Sequence, residues 1–477
     1  MEDLTARVSA PAPDVAVVGA GWAGCAAALT LARAGVRVTL YEAARTPGGR
    51  ARRVEFDGLA LDNGQHLLVG AYHATLALIA TLHGANASRV LHRQPLALVP
   101  LARNGVRLAA WLLPAPLHLA GALAGASGLS WRERMALIRD YRTLAARGFR
   151  CAADATVATL FAATPPRAFA ALWEPLTLAA LNTPPQRASA QLFANVLAAA
   201  FAGARGDSDF LVPAVDLSAL LPDAAVAEVV SRGGAVRSGT AVERIAPAGD
   251  SVEIHTRRGS TDRFDAVVLA TGPHQVDEAL GGGYGGHAAV DALRHMVAGF
   301  AYESITTVYL GFAADVAWPG RLVRLDDAPG QWLFDRRDAL PPRAAPPPTA
   351  APATAREHAA TPSALRALAA IVISAGGPHD ALPHDALAAC VDAQLRRLAP
   401  ALPPLAWHRV IAERRATYAC TPGLARPRAG RLAPGLYLAG DYTDAHFPAT
   451  LEAAVRSGVA AASAVFGRRK EYSRPGM

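Results

Sequence analysis

Residues 14–21, DVAVVGAG, form a short apolar run that ends in glycine, the pattern of a buried strand. WAGCAAALTLARAG follows, alanine-rich with helical spacing of its apolar positions, and stops at Gly35. VRVTLYE then reads as a second strand ending at Glu42. Similar strand-like runs return in AVERI (241–245), FDAVVLATGP (264–273) and LYLAG (436–440). A helix is predicted to begin near Pro448, and VEFDGLALD (54–62) is hairpin-like. The pattern predicts an α/β fold. Two stretches stand out from it. In LDNGQHLLVGAY (61–72) a polar knot, Asp62-Asn63-Gly64-Gln65-His66, interrupts apolar sequence. Its plain reading is a surface turn, because Asn-Gly is a common turn pair. Residues 108–129, LAAWLLPAPLHLAGALAGASGL, carry no formal charge with His neutral.

The first strand–helix junction carries Gly19, Gly21 and Gly24 in a G-x-G-x-x-G arrangement. These glycines give a tight turn, close backbone approach to a pyrophosphate and close helix–strand packing. The helix start offers free N–H groups to the phosphates. Glu42 lies about 20 residues on, where an acid binds ribose hydroxyls. Strand, helix, strand and acid together predict a Rossmann-type dinucleotide site; a lone tight turn is the plain alternative. Gly48-Gly49-Arg50 follows in AARTPGGRARR and can hold more phosphate or a flavin edge, or form a solvated loop. Near the far end, Gly440-Asp441 sits between a strand and a helix. Its carboxylate can accept hydrogen bonds from sugar-alcohol hydroxyls, beside the N–H groups of the helix start.

Composition narrows the function classes. The 477 residues are 52% hydrophobic and 18% charged, with no clean membrane span. Mean hydropathy is +0.19. Net charge is +8, nearly all the excess is arginine, and the sole lysine is Lys470. No Lys/Arg stripe with interleaved aromatics is present, so nucleic acid is not the expected partner; an anionic membrane stays open. Cys25, Cys151, Cys390 and Cys420 have no CxxC spacing, so no disulfide framework and no metal site is expected. MEDLTARVSAPAP lacks the apolar core of a secretion signal, which makes a cytoplasmic, reducing location the default. The proline-rich 341–355 reads as a flexible loop. In 108–129, Pro114, Pro116, His118 and the glycines argue against a simple span. Trp111 with Arg103, Arg107, Arg132 and Arg134 nearby suits an interfacial element, the alternative being a buried helix pair.

GGR after the ribose acid, and GDYTDAHFPATLEAAVRSG (440–458), resemble the flavin amine oxidase and phytoene desaturase superfamily. DNGQHLLVGAY (62–72), LWEPLTLAALNTPPQRASAQLF (172–193) and VPAVDLSALLPDAA (212–225) narrow the resemblance. They are similar to the squalene-associated FAD-dependent desaturase family, the hydroxysqualene dehydroxylases, over nearly the full chain. AHFP at 445–448 departs from the Gly-Leu-Pro-like run expected there.

The resemblance implies a GR2-like FAD-binding domain formed discontinuously by 1–107, 207–298 and 405–477. A mixed α+β, membrane-facing substrate domain, 108–206 and 299–404, is inserted in it. It implies FAD held by Gly19, Gly21, Gly24, Glu42, Gly49, Arg50, Gln65, Val242, Gly272, Gly440, Asp441, Thr450 and Leu451. Glu452 contacts or buttresses cofactor groups in this reading. The implied reaction is reductive dehydroxylation of hydroxysqualene to squalene, on the route to hopanoids or other squalene products. The LDNGQH knot would then border the flavin at the closed end of an apolar tunnel, with His66 first, then Tyr72, as candidate acids. His66 can equally hold its own loop, and Asp62 braces its turn. Trp173, Asn182 and His446 are assigned to the substrate cavity, with core packing the alternative for Trp173. Peripheral membrane association, on the inner face, and a link to squalene-pathway synthases are the expected partnerships. The rivals are a phytoene-type desaturase, with opposite redox direction, and a non-catalytic FAD-containing isoprenoid-binding protein. An amine oxidase would need a lysine near the flavin, and Lys470 falls beyond the last expected FAD helix.

Overall fold

The computed structural model describes residues 12–341 and 364–472, so most of the proline-rich stretch lies outside the described residues. A six-stranded sheet runs in the order Ala235–Arg237, Arg37–Tyr41, Asp14–Val18, Ala266–Leu269, Leu436–Leu438, Gly430–Ala433. Every neighbouring pair is parallel except the last. The central strands are almost wholly Val, Leu and Ala because both faces are covered. Helix Trp22–Arg33 packs against Pro222–Ser231 and the last helix, Leu451–Tyr472. Gly458 permits that contact: a Cβ there would sit 2.1 Å from the Ala23 carbonyl oxygen. The last helix starts three residues after Pro448 and includes Lys470, which is therefore not beyond it.

A second body holds a five-stranded antiparallel sheet, ordered Leu322–Arg324, Trp332–Asp335, Ala367–Ser374, Tyr302–Phe312, Leu405–Tyr418. Here the expected boundary at 405 is corrected. Strand Leu405–Tyr418 pairs along Tyr302–Phe312, so the returning nucleotide segment begins after Tyr418. Its exposed and buried residues come in short runs and not in strict alternation, and the local pattern does not say which sheet it joins. Most of 108–206 is helical. Helix Trp131–Ala146 opens with a capping box: the Ser130 hydroxyl accepts from the Glu133 N–H, and the Glu133 carboxylate accepts from the Ser130 N–H. Residues 108–129 are not a helix pair. They form a short strand, Leu108–Ala109, an open loop and helix Leu117–Ala124. No described helix is long and apolar enough to cross a membrane.

Candidate flavin site

The glycine junction is a backbone cradle. Gly19 has φ +102, and a Cβ there would lie 2.8 Å from the Ala270 carbonyl oxygen. A Cβ on Gly24 would lie 1.8 Å from the Gly19 carbonyl oxygen. Gly21 differs: its Cβ would meet only the Gly49 Cα, at 3.9 Å, so this face of the loop is open. Gly21 and Gly48 form an isolated parallel bridge, which brings Gly49 and Arg50 onto the first junction. The Glu42 carboxylate accepts from the Ala20 N–H at 2.7 Å and the Ala44 N–H at 2.8 Å, tying the second strand to the glycine loop. A carboxylate has about four acceptor positions, so room remains for ribose hydroxyls.

From the opposite side, Arg50 pairs with Asp441 at 2.7 Å and donates to the Ala416 carbonyl. Gly440 has φ +149, and a Cβ there would run into the Tyr442 ring. Gly272 lies three residues past the end of the central strand Ala266–Leu269, and Val242 begins the strand Val242–Ala248. Thr450 accepts from the Ala453 N–H at the start of the last helix, and Leu451 is buried beside it. The hydroxyls of Thr271, Tyr302 and Tyr442 are buried with no hydrogen-bond partner in the structure. Sequence reasoning missed Tyr302 and Tyr442; adjacency to Gly440-Asp441 was the available signal for Tyr442. The open glycine face, spare carboxylate lone pairs and orphaned hydroxyls supply a donor and acceptor set that suits a flavin dinucleotide.

The LDNGQH turn is braced from inside. Asp62, 1% exposed, accepts from the Leu217 N–H at 2.7 Å and pairs with Arg336 at 3.3 Å. The Tyr309 hydroxyl donates to the Asp62 carbonyl, and the Gln65 amide donates to Tyr309 at 2.7 Å. Burial pushes the Asp62 carboxyl up to about 6, against the opposing Arg336 charge. His66 Nδ1 lies 2.9 Å from the Gly64 carbonyl oxygen. Burial holds its imidazole below the ordinary value, outweighing that bond. Tyr72 starts helix His73–His83, packs edge-on to Phe447 and is hydrogen-bonded to Thr450; burial raises its phenol. Glu452, 2% exposed, caps that same helix by accepting from the Ala74 and Thr75 N–H groups.

The three residues assigned to the substrate cavity have the following surroundings. Trp173 stacks on Phe161 at 4.5 Å and donates to Asp140, so its indole is spent on core packing. Asn182 ends helix Glu174–Leu181 at φ +48, a left-handed position that asparagine tolerates. Its amide donates to the Ser304 carbonyl and the Thr417 hydroxyl, and accepts from the Ala375 N–H. It staples the helical segment to two strands and to the residue that follows a third. His446 is exposed beside a surface cleft of about 240 Å³ that includes Arg428 and Arg456, away from the LDNGQH turn.

The cradle and sheet define a flavin-dependent oxidoreductase. The sequence model for flavin containing amine oxidoreductases matches residues 22–466. A hydroxysqualene dehydroxylase from Rhodopseudomonas palustris is 31% identical, with 94% of this chain and 98% of that protein covered. A hydroxyneurosporene desaturase from Rhodobacter capsulatus is 43% identical, but over 19% of this chain and 17% of that protein. An oxidoreductase structure from Methanosarcina mazei aligns with a TM-score of 0.69 at 14% identity, covering 95% of this chain and 100% of that one. The chain belongs to the flavin containing amine oxidoreductase family and, within it, to the hydroxysqualene dehydroxylases.

Proposed function

We propose that the protein binds FAD and removes the allylic hydroxyl of hydroxysqualene to give squalene. The observation that carries this reading is the breadth of the likeness: it spans both chains for the dehydroxylase and under a fifth of either for the desaturase. When bound and reduced, the flavin supplies a hydride at N5. The substrate's C–O bond breaks as its oxygen takes a proton and leaves as water. The hydride that bound, reduced flavin would supply takes the place of the departing hydroxyl, so the two electrons gained by the substrate would come from the cofactor and its external donor.

The protein's own share is a proton, a dry cavity and alignment. Tyr72 keeps its proton through the neutral range, because burial raises its phenol. His66 is neutral at pH 7 in this environment; when protonated it is the stronger acid. If His66 delivers the proton, turnover rises as pH falls below neutral; if Tyr72 does, it is flat there. Asp62, Arg336, Tyr309 and Gln65 fix the turn that carries His66.

The test is an anaerobic assay in D2O of the holoprotein, its flavin chemically reduced there, with hydroxysqualene. Squalene carrying deuterium supports the reading. No squalene, but new double bonds in phytoene with the oxidised holoprotein, would replace it with the desaturase. Retained flavin with turnover of neither would leave an isoprenoid-binding protein.

A further inference from the structure

Among the described residues eight large apolar side chains are exposed, and six of them lie between positions 111 and 135. Leu112 is 85% exposed, Trp131 64%, Leu117 57% and Trp111 49%, joined by Leu113 and Met135. The loop that carries the first of these is held in shape. The Trp111 N–H donates to the His118 carbonyl, and the His118 N–H donates to the Pro114 carbonyl. The Trp111 ring lies over Gly121 and Gly125, so close that a Cβ on Gly121 would meet it at 2.4 Å. Trp131 and Met135 stand one helical turn apart on Trp131–Ala146. The Arg134 guanidinium, reaching the Ala124 carbonyl, sets that helix start beside the end of Leu117–Ala124. The apolar tip is therefore built, not frayed.

Its charge is one-sided. Residues 101–132 contain no Asp or Glu. Arg103, Arg107 and Arg132 are exposed and form no ion pair with a described residue. Tryptophan and leucine beyond a rim of unpaired arginines match a bilayer: the rings enter the interface while the guanidinium groups meet lipid phosphates. Beneath the tip, Leu108, Leu119, Leu129 and Leu137 belong to the apolar cluster that includes Leu59 and Leu61 at the LDNGQH turn.

The geometry points to the 103–135 tip as the surface that docks the protein on an anionic lipid bilayer. The inference rests on the reading of the substrate as a long isoprenoid that resides in lipid, and its test is independent of turnover. Holoprotein is floated with vesicles of phosphatidylcholine alone and of phosphatidylcholine with phosphatidylglycerol. The wild type floats with the anionic vesicles. Leu112→Glu with Leu117→Glu lowers the bound fraction about tenfold or more, since each leucine loses its burial. Arg103→Gln, Arg107→Gln and Arg132→Gln together remove the preference for anionic over neutral vesicles. All five substitutions are at exposed positions, and unchanged far-UV circular dichroism and bound-flavin absorbance check that each variant is folded. Wild type that floats with neither vesicle overturns the inference, as does a leucine variant that binds like the wild type. So does a soluble dimer that the leucine variant dissociates, because a second copy would then cover the tip. If vesicle binding behaves as expected but hydroxysqualene is not consumed, the functional reading fails and the docking surface stands.

Discussion

The two ends of the proposed flavin site are made of different material. The nucleotide end is backbone: Gly19, Gly24 and Gly49 bring main chain together where a side chain would crowd, Gly21 keeps one face of the loop open, and Glu42 ties the loop. The LDNGQH end is side chain: Asp62, Arg336, Tyr309 and Gln65 hold one turn through buried polar contacts. The first fails by collision. The second fails by leaving a charge or a donor unpaired in the interior.

The largest effect is expected at Gly24. Its Cβ would point at the Gly19 carbonyl from 1.8 Å, and backbone cannot swing aside as a side chain can. Gly24→Val is expected to cost more than about 4 kcal/mol, the range of severe steric faults. Soluble flavin-containing protein should be lost. Gly21→Ala sharpens the contrast, because its Cβ meets only the Gly49 Cα at 3.9 Å. That variant should fold normally yet lose bound flavin, read from visible absorbance and a melting curve. Gly24→Val protein that purifies with full flavin would break the backbone account.

Next comes Arg336→Met, which strands the buried Asp62 carboxylate. Breaking such a pair costs about 3–5 kcal/mol. The pH dependence has a definite sign. Asp62 has a folded value of about 6, above its ordinary 3.8, so the fold holds this proton more tightly than the unfolded chain does. Its stabilising contribution is complete below 3.8 and is lost as pH rises through about 6. Removing Arg336 takes away a cation that favours the ionised form and pushes the carboxyl higher still. The melting-temperature gap between wild type and Arg336→Met should therefore widen from pH 5 to pH 8. A gap that does not change with pH would show that Arg336 acts through packing alone.

The same contrast explains what was legible in the sequence. A backbone site writes itself locally: the glycines, the two strands and Glu42 lie within one stretch and have few other uses. The side-chain brace does not. Asp62 meets Tyr309 across 247 residues and also meets Arg336, and nothing near either partner marks it as such. Asn182 and Trp173 carry residue types suited equally to a cavity and a core, and only the assembled neighbours show that both are structural. Strand Leu405–Tyr418 was read only as the start of the returning nucleotide segment, because its sheet is fixed by pairing partners about a hundred residues upstream. The polar knot itself was visible from its composition, while the reason it is polar came from the second body of the molecule.

The smallest effect expected is at Glu452, where the two ends meet. This residue lies on the last helix, near the Gly440-Asp441 pair in sequence, yet its oxygens accept from Ala74 at 3.0 Å and Thr75 at 2.9 Å. Those N–H groups are in the first turn of the helix that follows the LDNGQH segment, where a carboxylate also meets the positive end of the helix dipole. Glu452→Ala should cost about 1–2 kcal/mol, as for loss of a helix cap. Glu452→Gln keeps one accepting oxygen and should cost about half of that, both measured by urea unfolding of flavin-free protein. Flavin affinity should move less than about tenfold, because a cap of this energy acts on the cofactor only through the helix it holds. If Glu452→Ala instead releases flavin as fully as Gly21→Ala, the carboxylate reaches the cofactor directly. The side-chain end would then bind as well as brace, and the division between the two ends would fall.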